Sequence, residues 1–487
     1  MTTSRLLVGP FNRVEGDLEV QLEIADGRVA SARVNAPMYR GFEQILQGKD
    51  PFDAMVYVPR ICGICSVSQS VASARALGDL AGVQVPENGA HVINLMLATE
   101  NLADHLTHFY LFFMPDFTRP VYAARPWHGE TLRRLEAQRG EHARLAIAAR
   151  QRWFTIMGTL GGKWPHTQSV QPGGSSKPVE AAERIRLLSW VREFRSFLEQ
   201  TLFGAPLEFI NALDSEAALG RWHADDPTGG DFRMFLTIAA DTGLDALGAG
   251  PGRYLSYGAY RQADGTHVTP PGVWDAATRV LAPLDLTRIS EDATNAWLSD
   301  AGGPRHPAQG VTLPDADKPG GYTWNKAPRL DSQVVETGAI ARQLAAGNPL
   351  VREAVARCGG TVYTRVLARL LELARVVPLM EDWLRALRPG EPWCVEAPLP
   401  DHGAGVGLTE AARGALGHWL VVDKGRIASY QIVAPTSWNF SPRDAAGTPG
   451  ALEAALEGAP VQPGETTPVA VQHIVRSFDP CMVCTVH

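Results

Sequence analysis

The sequence predicts a multihelical α+β fold, mainly α with smaller β elements, whose two ends meet at one site. Three observations predict it. Long stretches carry apolar residues at spacings of three and four, the period of a buried helix face. Runs at 17–36 and 405–434 alternate polar and apolar residues around Asp26-Gly27 and Asp423-Lys424-Gly425, the pattern of strands joined by tight turns. Two Cys-x-x-Cys pairs, Cys62/Cys65 and Cys481/Cys484, stand near opposite ends of the chain. If both pairs serve one centre, the fold must carry the C-terminus back to the first.

Taken in order, residues 17–36 form a β-hairpin. From about 66 to 114 the pattern is helical, and the stretch from His91 to Met114 is closed by Pro115. Residues 129–158 and 178–203 are further amphipathic helices, so the helical core covers about 66–245 and resumes at 333–387. Between them, 250–325 is rich in Gly, Pro and Asp with short β-like runs, which predicts an irregular α+β excursion. Strands at 405–434 open a C-terminal segment, 405–487. In it a last helix at about 466–478 ends before Pro480 and delivers Cys481. The chain stops three residues after its last cysteine, so that end is expected to be anchored. With no internal repeat, 1–487 is expected to be one domain.

Composition sets limits. A chain of 487 residues with 45% hydrophobic and 20% charged residues can bury a large core. A net charge of −7 gives no electrostatic reason to expect nucleic acid. No apolar run is long enough to span a bilayer, and the N-terminus lacks the regions of a signal peptide. The expected location is cytoplasmic, unless a partner carries an export signal. Six cysteines are too few for a disulfide scaffold. Cys358 and Cys394, outside the pairs, are expected as buried small hydrophobes.

Each Cys-x-x-Cys can offer two thiolates to one metal centre. A structural zinc site is one reading. Against it, zinc pairs usually lie in one small knuckle, whereas these are far apart and set in apolar sequence. A thioredoxin-like role fits poorly, since it needs one pair in a compact βαβ unit.

Arg60-Ile61-Cys62-Gly63-Ile64-Cys65 and Asp479-Pro480-Cys481-Met482-Val483-Cys484-Thr485-Val486-His487 resemble the signatures of nickel–iron hydrogenase large subunits. Other segments follow in that family's order. They are Arg13-Val14-Glu15-Gly16, Arg40-Gly41-Phe42-Glu43, Gly161 to His166, Lys326 to Arg329, Glu410 to Gly414, and Tyr430 to Asn439. The resemblance covers nearly the whole chain and implies the family's helix-rich core.

The resemblance implies that Cys62 and Cys481 bind nickel alone, while Cys65 and Cys484 bridge nickel and iron. The iron would carry cyanide and carbon monoxide. The implied reaction is the reversible heterolytic splitting of dihydrogen into two protons and two electrons. Glu15 is the implied first proton relay; read alone it is a surface acid after a turn. Arg413 matches an arginine above the metals, and Asp104 and Asp479 match the carboxylates that hold it. Glu43, the carbonyl of Ile432 and His487 match a site for a divalent ion, Mg2+. His166 matches a histidine near the partner's proximal iron–sulfur cluster, and a core histidine is an equal reading.

The chain departs from the common family pattern at several positions. Gln69 stands where uptake enzymes have His, Ala412 where they have Pro, and Asp17 where they have His. Ile64 and Phe112 replace a smaller Val and Leu at the gas-tunnel narrowing. Together these resemble the hydrogen-sensing, regulatory branch, which reports to a histidine kinase; an energy-conserving uptake enzyme is the alternative. Family precursors carry a C-terminal extension removed after nickel insertion. This chain ends at His487, either after such cleavage or without one. Two lone cysteines cannot hold iron–sulfur clusters, so the resemblance implies a small subunit that carries them, in a heterodimer or a pair of heterodimers.

Overall fold

A third strand joins the predicted hairpin in the computed structural model, which describes residues 3–487. Thr3–Val8 pairs antiparallel with Glu19–Ala25, which pairs with Arg28–Asn35. Val20, Leu22, Val29, Ala32 and Val34 turn to the core, the alternation that predicted the hairpin. Asp26 and Gly27 both take the left-handed conformation, as a two-residue turn between twisted strands requires.

The helical stretch at 66–114 is two α-helices, Ser66–Ala81 and Glu87–Thr107. The first ends on left-handed Gly82, and Pro86 caps the second. The second does not run on to Met114. It passes into a π-helical turn, His108–Phe113, and then a 3-10 turn, Met114–Thr118, that contains Pro115. The wider turn shifts every later side chain relative to an α-helical projection.

The 129–158 region resolves into His128–Leu135, Glu141–Trp153 and Thr155–Gly161. Ala181–Phe197 also ends in a π-helical turn, Leu198–Phe203. Later core helices are Ala339–Ala345, Pro349–Cys358 and Val362–Ala386. The last is buried along most of its length and packs on Glu87–Thr107.

The excursion at 250–325 is more β than expected. It holds five short strands between Arg253 and Ala282, and a sixth, Ile289–Asp292, that pairs with Ala327–Leu330. Its described helical elements are only the 3-10 turns Leu286–Arg288 and Pro307–Gln309. Frequent Gly and Pro permit extended segments but interrupt helices.

Near the C-terminus, Gly403–Ala411, Gly414–Asp423 and Arg426–Val433 form an antiparallel meander. Its first strand lies directly on the Ser66–Ala81 helix. A β-carbon at Gly407 would come within 1.8 Å of the Ala72 carbonyl, so only glycine allows this approach. The helix that follows Cys65 is thereby locked to the strand that leads to Arg413. The final helix, Val469–Ser477, stops three residues short of Pro480.

The lone cysteines depart from expectation. Cys358 is half-buried on the last turn of its helix, and Cys394 is exposed. Cys394 lies in a loop whose backbone bridges to Gly174. The pairing holds the main chain and leaves the thiol in solvent.

Candidate metal centre

The two cysteine pairs meet. Cys65 caps the N-terminus of the Ser66–Ala81 helix, while Cys481 caps and Cys484 ends a short 3-10 turn, Met482–Cys484. The four Sγ atoms all lie within 4.8 Å of one another and are buried. Cys62 is 3.3 Å from Cys481, Cys65 is 3.1 Å from Cys484, and Cys481 is 3.1 Å from Cys484. These separations are far longer than a disulfide, about 2.05 Å. Hydrogen bonds from its three neighbours lower the Cys62 thiol, whereas Cys65 and Cys481 are pushed well up. Four soft donors gathered away from water, with Arg413 as the nearby side-chain cation, fit a thiophilic metal centre such as nickel with iron.

Two devices bring the ends together. Arg40 Nη2 donates to the carbonyls of Ile61 and Val483, both at 2.5 Å, each one residue before a cysteine. Glu15 forms a parallel β-bridge with Cys481, with its amide on Pro480 O at 3.3 Å and its carbonyl accepting from Met482 N at 2.8 Å. Gly16 has a φ of 78°, and a β-carbon there would meet the Val483 amide at 2.9 Å. Gly16 is therefore a steric requirement of this crossing. Burial, then the neighbouring Cys62 charge, raises the Glu15 carboxyl; Arg413 and Arg40 oppose the shift.

Arg413 sits in the two-residue turn between the first two meander strands. Nη1 donates to Asp104 Oδ2 at 2.5 Å and Nη2 to Asp104 Oδ1 at 3.2 Å. Nη2 also reaches Asp479 Oδ1 at 3.2 Å, and Nε donates to the Asp479 carbonyl at 2.8 Å. Burial disfavours the charged arginine, but both carboxylates outweigh it and hold it protonated. That makes Arg413 a fixed cation at this site. Burial also raises Asp479, yet Arg413, His108 and Arg369 bring it below its ordinary value.

At the C-terminus, His487 Nδ1 lies 2.6 Å from Cys484 O and Nε2 lies 2.5 Å from Ile432 O. A neutral imidazole has one N–H and cannot donate to both. Burial lowers its pKa and disfavours a second proton. A cation beside Nε2 resolves the conflict, and Glu43 Oε1 stands 3.6 Å away. The residues present therefore fit a divalent ion. Lys326 already faces this cluster, 3.3 Å from Glu43, 3.2 Å from Glu291 and 2.8 Å from Gln431.

Gln69 is fully buried, with Oε1 2.9 Å from His418 Nε2 and, among the described residues, no partner for its own Nε2. The Ala412 carbonyl accepts from Arg342 at 3.0 Å. His166 Nδ1 is 3.0 Å from Pro59 O, beside the first cysteine loop. Ile64 packs against the core, whereas half-buried Phe112 lies in the π-helical turn, where its carbonyl accepts from Arg13 at 3.0 Å.

Several buried charges escaped the sequence reading. Glu100 accepts from Val67 N at 2.8 Å, Ser68 N at 2.9 Å and Trp164 Nε1 at 3.1 Å. It thus caps the helix that follows Cys65. Arg342 joins Glu372 and Glu410, and His105 lies 2.7 Å from Glu372. Asp116 holds Arg476 in the last helix and also pairs with Arg13. The available signal was an acid within an apolar helix, as at Glu100, one turn before Asp104.

A family model described as nickel-dependent hydrogenase matches residues 40–136 and 234–487. The large subunit of the periplasmic NiFeSe hydrogenase of Desulfomicrobium baculatum is 31% identical, over 99% of this chain and 95% of that protein. The hydrogenase-1 large chain of Escherichia coli K12 is 30% identical over 99% of this chain and 95% of its own length. Among solved structures, the Ni-Fe-Se hydrogenase of Desulfovibrio vulgaris Hildenborough in the reduced state superposes with a TM-score of 0.85 at 28% identity. That match covers 100% of both chains.

Proposed function

Because the chain belongs to the nickel-dependent hydrogenase family as its large subunit, the subunit of an enzyme that oxidises or produces dihydrogen, we propose that Cys62, Cys65, Cys481 and Cys484 hold its nickel–iron centre. The observation that carries this is the four buried sulfurs within 4.8 Å. Cys62 and Cys481 would serve nickel, and Cys65 and Cys484 would serve both nickel and iron, the iron with cyanide and carbon monoxide as its small ligands. When bound, the centre supplies Lewis acidity and redox capacity for splitting dihydrogen into protons and electrons.

The chain's own residues handle charge and protons. Glu15, beside Cys481 and with a raised pKa, takes up and releases the proton. Arg413 is a fixed cation over the sulfurs, aimed by Asp104 and Asp479. Glu43, Ile432 O and His487 would hold Mg2+ and so pin the second cysteine pair. The whole chain, 1–487, works as one domain. An iron–sulfur small subunit takes the electrons, with His166 near its proximal cluster.

The role is sensing hydrogen for a histidine kinase, in the cytoplasm. Gln69, Ala412, Asp17, Ile64 and Phe112 support this reading. Ile64 and Phe112 narrow gas access in it. The second reading, an uptake enzyme, is favoured by one relative, named an uptake hydrogenase large subunit in Azotobacter chroococcum, and another relative is named as periplasmic. Among the described residues, no helix is long and apolar enough to cross a membrane. Hydrogen-dependent dye reduction by the purified complex, with kinase output measured after gene deletion, separates the two. Slow turnover with lost hydrogen-dependent signalling supports the sensor. Fast turnover with intact signalling supports uptake.

A further inference from the structure

Behind the helix that follows Cys65 is a cleft of about 240 Å³ lined by Arg75 and Arg261. Its walls are the far half of that helix, the segment around Pro172, and the turn from Gln262 to Gly265. Gln84 Nε2 donates to the Ala263 carbonyl at 3.0 Å and closes one side.

Among the described residues, neither arginine forms an ion pair. Arg75 donates from Nη1 to the Leu408 carbonyl at 2.6 Å. Burial and then Arg261 lower its pKa to about 9. Burial, then these two arginines, push His267 down to about 4. Three basic groups are therefore in electrostatic reach of one another. Of the nearby acids, Asp264 also lines the cleft and Asp79 lies on the same helix as Arg75, and each has one carboxylate oxygen engaged by its own neighbours. Asp264 Oδ1 accepts from Thr266 N at 2.9 Å and Oγ1 at 2.6 Å. Asp79 Oδ2 accepts from Val406 N at 2.9 Å.

Like charges gathered in a partly desolvated cleft repel, and that cost is offset when an anion enters. Guanidinium groups are suited to it, since each can offer two parallel N–H donors to an oxyanion. We propose that this cleft binds a small free oxyanion, a phosphate or a carboxylate, between Arg75 and Arg261. The site is separate from the metal centre. Arg75 lies ten positions after Cys65, roughly 15 Å along the helix at 1.5 Å per residue. It also ties that helix to the strand leading to Arg413. A bound anion therefore stiffens the contact between the two elements that carry Cys65 and Arg413.

The test uses the purified two-subunit complex. Inorganic phosphate and acetate are titrated separately by calorimetry, at ionic strength matched with chloride. Saturable binding of one or both is expected, and which one binds identifies the headgroup. Arg261→Gln changes an exposed side chain outside the hydrogen-splitting machinery. It should weaken binding at least about tenfold, the scale of one charge-assisted contact, with metal content and hydrogen oxidation unchanged. Arg75→Gln should weaken binding likewise, and only Arg261→Gln serves as the variant of unchanged activity. Absence of saturable binding by both anions, or equal affinity in Arg261→Gln, overturns the proposal.

Discussion

Glu15 and Cys481, near opposite ends of the chain, are paired in a parallel β-bridge. The bridge places a carboxyl of raised pKa beside the sulfur cluster. Glu15→Gln keeps this backbone pairing and removes only the titrating group. Metal content should be retained, while hydrogen–deuterium exchange with bulk water should fall about a hundredfold or more. An unchanged exchange rate would remove Glu15 from the proton route.

Arg413 makes four directed contacts to Asp104 and Asp479. Lysine keeps the charge but loses the fork that aims it. Arg413→Lys should lower hydrogen turnover by about a hundredfold to a thousandfold, with nickel still bound. Near-wild-type turnover would assign the arginine a purely structural part.

Glu43 and His487 hold the last residues behind Cys484. Removing His487, or replacing Glu43 by Gln, should lower nickel content in the isolated protein rather than turnover per nickel. Both variants should also lose Mg2+ by elemental analysis. Full nickel and Mg2+ in both would end the divalent-ion assignment.

Glu453 lies outside the sulfur cluster and accepts from Val34 N at 3.0 Å and Tyr322 OH at 2.8 Å. Burial raises its pKa from 4.5 to about 7. The folded protein therefore keeps a proton that the unfolded chain has released. Stability contributed by this group is lost as pH rises through that window, on the order of 3 kcal/mol. Glu453→Gln should remove this part of the pH dependence, measured by urea unfolding at pH 5 and pH 8. Parallel losses in variant and parent would show that Glu453 does not titrate there.

The cysteine pairs were legible because their spacing is local, and the hairpins because Asp26-Gly27 and Asp423-Lys424-Gly425 demand tight turns. Arg413, Asp104 and Glu43 were legible only through resemblance, since a single charged residue carries no local pattern. The π-helical turn at His108–Phe113 was hidden because one extra residue per turn barely disturbs an apolar run. Glu100 was missed for another reason. Its partners, Val67, Ser68 and Trp164, lie on elements that meet it only after folding. Cys394 ran against its residue type because backbone pairing to Gly174, not burial of the thiol, sets that loop.

The central claim is that the four buried thiols hold nickel and iron. Elemental analysis joined to infrared spectroscopy of the purified complex tests it most directly. The account predicts nickel and iron together, with absorption in the cyanide and carbonyl stretching region. Zinc in their place, without those bands, would contradict it.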